Sequence, residues 1–244
     1  MKDLCFLKSS LIAHRGVHNM EVPENSICAF KIALKKKYII EFDVHLLKDN
    51  TVIVFHDDNL FRMTGINKNL CDCTYDDIKN LHLKNSNYKI PTLDEVLRLI
   101  NGKVPIIIEL KYDRKVGLLE KEVSKLLDNY NGLFCIKSFN PFIVRWFRKN
   151  RPKYIRGLLI SDKHRTIIEK LCQSFIAGAI CKPDFISCNY KLSDNKQILK
   201  YMKRIPVLAW TIKNGKNYQK YRDKFYNLIV ENIDKLWLII MINL

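Results

Sequence analysis

The chain has 244 residues, 48% of them hydrophobic and 27% charged, an ordinary globular balance that supplies a sizeable core and excludes a disordered or low-complexity protein. Lysine and arginine outnumber aspartate and glutamate 42 to 25, for a formal charge of +17; this draws anionic partners at long range without identifying one. The lysines form no long basic block and no RNA-binding aromatic motif accompanies them, which counts against dedicated nucleic-acid binding and leaves room only for weak contact with an anionic membrane surface.

The amino-terminal MKDLCFLKSS is interrupted by Lys8 and two serines, too little apolar length for an export signal or a span. Short apolar runs then recur: LIAH (11–14), IIEFDV (39–44), VPIIIEL (104–110), LFCIKS (133–138), YIRGLLI (154–160), DFISC (184–188), PVLAWT (206–211) and NLIVE (227–231). Several are near-continuous Val, Ile and Leu, as in parallel strands buried on both faces. VIVFH (52–56) reads as the return arm of a hairpin turning at Asp49-Asn50. With a two-residue turn there, Asp43 lies opposite His56 and Glu41 opposite Asp58. Alternation along the outgoing arm sends Glu41, Asp43 and His45 to one face and Ile40, Phe42 and Val44 to the other.

Helical patterns separate the runs. Asn25 or Ser26 caps a segment carrying Ile27, Phe30 and Leu34, and Thr92 with Glu95 forms a capping box. Residues 115–130 align Val116, Leu119, Val123, Leu126 and Tyr130. Asn140-Pro141 opens another helix, and segments near 164–176, 194–203 and 214–224 follow. The final LWLIIMINL is too short to cross a bilayer as a helix and reads as a packed terminal helix. Strand and helix in repeated alternation, with no Gly-rich phosphate loop, predict a (β/α)8 TIM barrel. We expect one domain over residues 1–244, with residues 59–91 as a small insertion after the second strand's hairpin extension. No pattern fixes an oligomeric state. The eight cysteines are irregularly spaced, and Cys71-Asp72-Cys73 lacks the gap of zinc or redox motifs, so a reduced, cytoplasmic protein is expected.

Polar residues gather at the carboxyl ends of these runs: His14-Arg15, Glu41 and Asp43, Glu109 and Lys111, Ser138, Asn189, Trp210 and Glu231. In a barrel those ends share one mouth. Three carboxylates in one pocket repel each other unless a cation joins them, and all-oxygen ligation suits Mg²⁺ or Ca²⁺ rather than zinc. Glu41, Asp43 and Glu109 are thus the candidate metal ligands. Arg15 and Lys111 suit a phosphate, the arginine through paired hydrogen bonds. His14 and His56 can exchange protons near neutrality, one accepting from an attacking oxygen and the other donating to a leaving oxygen. Metal, cationic clamp and two histidines describe phosphodiester cleavage, although each element alone is usually structural.

The segments IAHRG (12–16), PENS (23–26), IEFDV (40–44), VFHDD (54–58), IPTLDEVL (90–97), IIIELK (106–111), KSFNP (137–141) and LAWTIK (208–213) resemble the glycerophosphodiester phosphodiesterase family over essentially the whole chain. The resemblance implies a TIM barrel with a small insertion, metal ligands Glu41, Asp43 and Glu109, acid/base histidines His14 and His56, and phosphate contacts from Arg15 and Lys111. It also implies that Trp210 walls the glycerol or leaving-group side. The implied small-molecule substrate is a glycerophosphodiester cleaved to glycerol 3-phosphate and an alcohol. Glu24 and Asn25 read as structural, fixing the loop after His14, with a direct ligand role for Glu24 as the alternative. The chain departs from the family pattern at NLIVEN, where a Thr-Asp ending is common, and at Asn227, where Asp is common; barrel closure and the role of Glu231 depend on what these residues do. Two alternatives stand beside this reading. One is a lysophospholipase D whose apolar groove uses Leu60, Phe61, Met63 and Tyr75. The other is a non-catalytic barrel that binds phosphopolyols or anionic surfaces.

Overall fold

The computed structural model describes residues 2–112, 115–163 and 175–233. All eight apolar runs are strands: β1 (Ile12–His14), β2 (Ile39–Leu46), β4 (Ile106–Leu110), β5 (Phe134–Ser138), β6 (Ile155–Ile160), β7 (Phe185–Asn189), β8 (Val207–Ile212) and β9 (Asn227–Val230), with β3 (Val52–Val54) as the return arm. Helices alternate with them: α1 (Ile27–Lys35), α4 (Leu93–Ile100), α5 (Leu118–Leu127), α6 (Pro141–Asn150), α7 (Phe175–Cys181), α8 (Lys196–Met202) and α9 (Gly215–Tyr221). Two one-turn helices, α2 (Phe61–Thr64) and α3 (Tyr75–Ile78), fall within residues 59–91. This is the (β/α)8 TIM barrel class.

The chain divides into two compact units, one of Met1–His14 with Phe134–Leu244 and one of Arg15–Leu133. In the first, parallel strands run in the order β1, β9, β8, β7, β6, β5. Ile12 pairs with Ile229 and Ala13 with Val230. Asn227 has a structural part in this unit: its amide nitrogen donates to Leu7 O at 2.6 Å and Ser10 O at 2.8 Å. An aspartate there could not donate. In the second unit β2 pairs parallel with β4, and Asp43 stands in register with Glu109.

The hairpin of β2 and β3 differs from the expected register. Val44 pairs with Val54 and Leu46 with Val52, and Leu47 N donates to Thr51 O at 2.9 Å. The loop is therefore three residues, Lys48 to Asn50, with Asn50 left-handed at φ 66°, a common hairpin solution. The one-residue slip places Phe55, not His56, against Asp43, where Phe55 N donates to Asp43 O at 3.0 Å. A slip of one residue reverses the facing of every side chain on the arm. Both faces of β2 are covered: all eight residues are buried, charged ones included.

Helix starts follow the caps. Ser26 Oγ accepts from Ala29 N, and Thr92 and Glu95 form the expected capping box. α5 starts later than its apolar pattern, after its N-cap Gly117, left-handed at φ 103°, and ends earlier, with Asp128 as its C-cap. It buries Leu119, Val123 and Leu127 rather than a stripe through Leu126 and Tyr130. Residues 59–91 carry a core of their own, in which Leu60, Met63, Leu70, Cys73, Ile78, Leu83 and Ile90 pack with Leu47, Ile53 and Phe55. The expected helix at 164–174 and the apolar carboxyl-terminal stretch lie outside the described residues.

Candidate active site

The second unit assembles the acidic trio. Glu41 and Asp43 point from β2 and Glu109 from β4; all three are buried, and one oxygen from each lies within 4.8 Å of the others. Burying three carboxylates so close together is unfavourable without cations, and the chain supplies two. Lys111 Nζ reaches Asp43 Oδ1 at 2.9 Å and Glu109 Oε1 at 2.6 Å. Burial alone would lower its pKa, but Asp43 and Glu109 more than offset that and hold it above the ordinary lysine value. Arg15 Nε lies 3.2 Å from Asp43 Oδ2, and Asn25 Nδ2 donates to the same oxygen at 3.1 Å. Three acids against two cations leave one formal negative charge, which would repel a phosphodiester. A divalent ion would reverse that sign, and a buried all-oxygen donor set suits a hard divalent cation. The trio therefore fits such an ion.

Arg15 reaches this position through an uncommon backbone. It is left-handed at φ 56° and is followed by Gly16 at φ 78°. A Cβ on Gly16 would come within 2.8 Å of Ala29 Cβ, so the His-Arg-Gly turn requires glycine there. Arg15 N donates to Glu41 Oε2 at 3.2 Å, and Asn25 N donates to Arg15 O at 3.0 Å. A non-glycine residue held left-handed costs roughly 1–3 kcal/mol and persists where its surroundings over-determine it.

His56 stands at the end of the hairpin rather than within its ladder. Its Nδ1 lies 2.6 Å from Asp57 Oδ1, and His45 Nε2 donates to its carbonyl at 3.1 Å. Burial raises the pKa of Asp57, but hydrogen bonds from His56 and Arg62 reverse this and hold it well below the usual carboxylate range. An ionised Asp57 accepts from Nδ1–H, which leaves Nε2 as the proton-accepting atom of the neutral ring.

The first unit holds His14 at the end of β1. His14 Nδ1 lies 2.7 Å from Glu231 Oε1, and Lys213 Nζ lies 2.8 Å from Glu231 Oε2. Burial pushes Glu231 up, but His14 and Lys213 pull it well below its ordinary pKa. The same tautomer follows, with hydrogen on Nδ1. Trp210 meets Phe139 edge to face, with ring centroids 5.8 Å apart.

Of the predicted site residues, Arg15, Glu41, Asp43, Glu109 and Lys111 form one contact network in the second unit, which also holds His56. His14 and Trp210 lie in the first unit. The sequence reading gave no role to Asp57, Lys213 or Arg62 and left Glu231 open. Asp57 sits beside His56 in the acidic run HDD and could have been noticed; Arg62 lies in a stretch with no clear period. The predicted apolar groove is not built as expected. Leu60 and Met63 are buried in the insertion's core and Tyr75 packs against it, leaving Phe61, 63% exposed.

Residues 14–232 match the glycerophosphoryl diester phosphodiesterase family. The chain is 28% identical over 221 residues to the putative glycerophosphodiester phosphodiesterase YhdW of Bacillus subtilis (strain 168), covering 86% of this chain and 88% of that one. It is 36% identical over 164 residues to the glycerophosphodiester phosphodiesterase of Caldanaerobacter subterraneus subsp. tengcongensis, covering 63% and 67%. Among solved structures, an Oleispira antarctica phosphodiesterase in complex with the product sn-glycerol-3-phosphate superposes with a TM-score of 0.79 at 22% identity, covering 98% of each chain.

Proposed function

We propose, because the chain belongs to the glycerophosphoryl diester phosphodiesterase family, that it hydrolyses glycerophosphodiesters to glycerol 3-phosphate and an alcohol. The observation that carries this reading is the buried trio of Glu41, Asp43 and Glu109, with their oxygens within 4.8 Å, Arg15 on Asp43 and Lys111 on Asp43 and Glu109. A divalent ion held there, Mg²⁺ or Ca²⁺, would supply positive charge to a phosphoryl oxygen. Arg15 and Lys111 would hold the phosphate, and Trp210 would wall the glycerol or leaving-group side.

The two histidines divide the proton traffic. One takes the proton of the attacking oxygen at Nε2, and the other, protonated, gives its proton to the departing alkoxide, so that a P–O bond forms and another breaks with the charge balanced. The nucleophile is water or the substrate's own glycerol 2-hydroxyl. The internal hydroxyl avoids the entropic cost of recruiting a second reactant and would pass through a cyclic phosphate that water opens. A 2-deoxy substrate cleaved at full rate would rule that route out.

Deacylated phospholipids such as glycerophosphocholine and glycerophosphoethanolamine are the proposed substrates, which places the chain in glycerol and lipid metabolism. The use of Leu60 and Met63 in the insertion's core favours them over acylated lysophospholipids. Among the described residues the seven cysteines are free thiols, which supports a reducing, cytoplasmic setting; no helix among those residues is long and apolar enough to cross a membrane.

The test is metal-stripped protein incubated with each diester and with a lysophospholipid, with added Mg²⁺, Ca²⁺ or neither. Glycerol 3-phosphate and free head group are followed. Release that depends on added metal is expected from the deacylated diesters. Equal release with and without metal would remove the ion from the reading, and release from the lysophospholipid alone would replace the substrate class.

A further inference from the structure

The insertion sends one side chain back toward the proposed chemistry. Arg62, on α2, places two of its nitrogens on Glu24: Nη2 at 2.7 Å from Oε1 and Nη1 at 3.1 Å from Oε2. Its Nε donates to Asp57 Oδ2, and Nη2 lies 3.1 Å from Asp57 Oδ1. Both carboxylates have a second partner. Glu24 Oε1 accepts from Arg15 Nη1 at 2.7 Å, and Asp57 Oδ1 meets the imidazole of His56. One guanidinium thus joins the loop that carries the phosphate arm to the loop that carries a proton carrier. No other cation of the described insertion makes such a bridge: Lys68 and Lys79 reach only the nearby Asp77 and Asp76.

The chemistry of the bridge needs arginine. A guanidinium offers five donors in a planar fork and can serve two carboxylates at once, whereas an ammonium is a compact point charge. The core beneath α2 fixes its base, since Leu60 and Met63, on either side of Arg62, are both buried. The fork is therefore anchored through the insertion's own packing.

We propose that Arg62 is a positioning residue: it holds Arg15 through Glu24 and His56 through Asp57 at a fixed spacing, so that the insertion's packing governs turnover. This deepens the hydrolytic reading and rests on it. Removing such a supporting partner characteristically costs about ten- to a hundredfold in activity.

The test compares wild type with Arg62→Met and Arg62→Lys. It measures kcat and KM on glycerophosphocholine, the thermal midpoint, and the ring ¹⁵N signals of His56. Arg62→Met should lose roughly ten- to a hundredfold in kcat and shift the His56 ring signals. Arg62→Lys, which keeps charge and most of the length, should fold as wild type yet recover only part of kcat. Wild-type kcat in Arg62→Lys would overturn the bridge. So would His56 ring signals in Arg62→Met identical to those of wild type. The second readout needs no turnover. A wild-type protein that cleaves no glycerophosphodiester would therefore sink the hydrolytic reading, while the ring signals still judge the bridge.

Discussion

The histidine of the first unit and the histidine of the second are held by the same device in different surroundings. His14 leans on Glu231, whose other oxygen meets Lys213; His56 leans on Asp57, which meets Arg62. In both, Nδ1 is engaged by a carboxylate that a cation neutralises, which fixes the tautomer and steadies the ring. The settings differ. The His14–Glu231 side chains are 11% and 13% exposed and those of His56–Asp57 33% and 23%. The cation behind Glu231, Lys213, is 61% exposed, whereas Arg62 also binds Glu24 and through it the network of Arg15. One histidine is secured by burial, the other by connection.

Removing either ring is the largest test. His14→Ala and His56→Ala should each lower kcat by roughly two to four orders of magnitude with the thermal midpoint little changed. A loss below tenfold for one of them would make the device structural on that side. The next test separates burial from connection. Glu231→Gln and Asp57→Asn keep shape but remove the charge that selects the Nδ1–H tautomer, a change known to be severe where water cannot substitute. The better-buried Glu231 should cost more, on the order of a hundredfold against about tenfold for Asp57. The reverse order in kcat would show that the Arg62 connection outweighs burial. Lys213→Met should cost only a few-fold, since an exposed ion pair contributes about 0–1 kcal/mol.

Much of this was legible in the chain. The eight strands announced themselves as apolar runs because parallel strands are buried on both faces, and Thr92, Ser26 and Pro141 marked helix starts by their chemistry. The acidic trio could be named because Glu41, Asp43 and Glu109 interrupt runs that are otherwise apolar. The hairpin register was not legible. Asp49-Asn50 suits a two-residue turn and a three-residue loop with a left-handed Asn50 equally well, and the choice shifts His56 by one place. Nor were Glu231, Lys213 and Arg62 legible as supports: each acts on a residue distant in sequence or in an aperiodic segment, where periodicity carries no information.

The gentlest probe of the connected side is acid. Burial raises the pKa of Glu24, but the hydrogen bond from Arg62 and the charges of Arg15 and Arg62 reverse this and bring it from 4.5 to about 2. A folded-state pKa below the unfolded one gives stability that is present above the unfolded value and lost as pH falls through the folded one. The window for Glu24 therefore runs from 4.5 down to about 2. That separation corresponds to on the order of 3 kcal/mol. Glu24→Gln should be less stable than wild type at neutral pH, because two guanidinium groups lose their shared anion. The gap should close across that window, as protonation in wild type removes the same charge. Chemical unfolding midpoints of both proteins along the pH series measure this directly. A gap that stays constant through the window would mean that Glu24 contributes packing rather than charge, and the connection from Arg62 to Arg15 would then have no electrostatic basis.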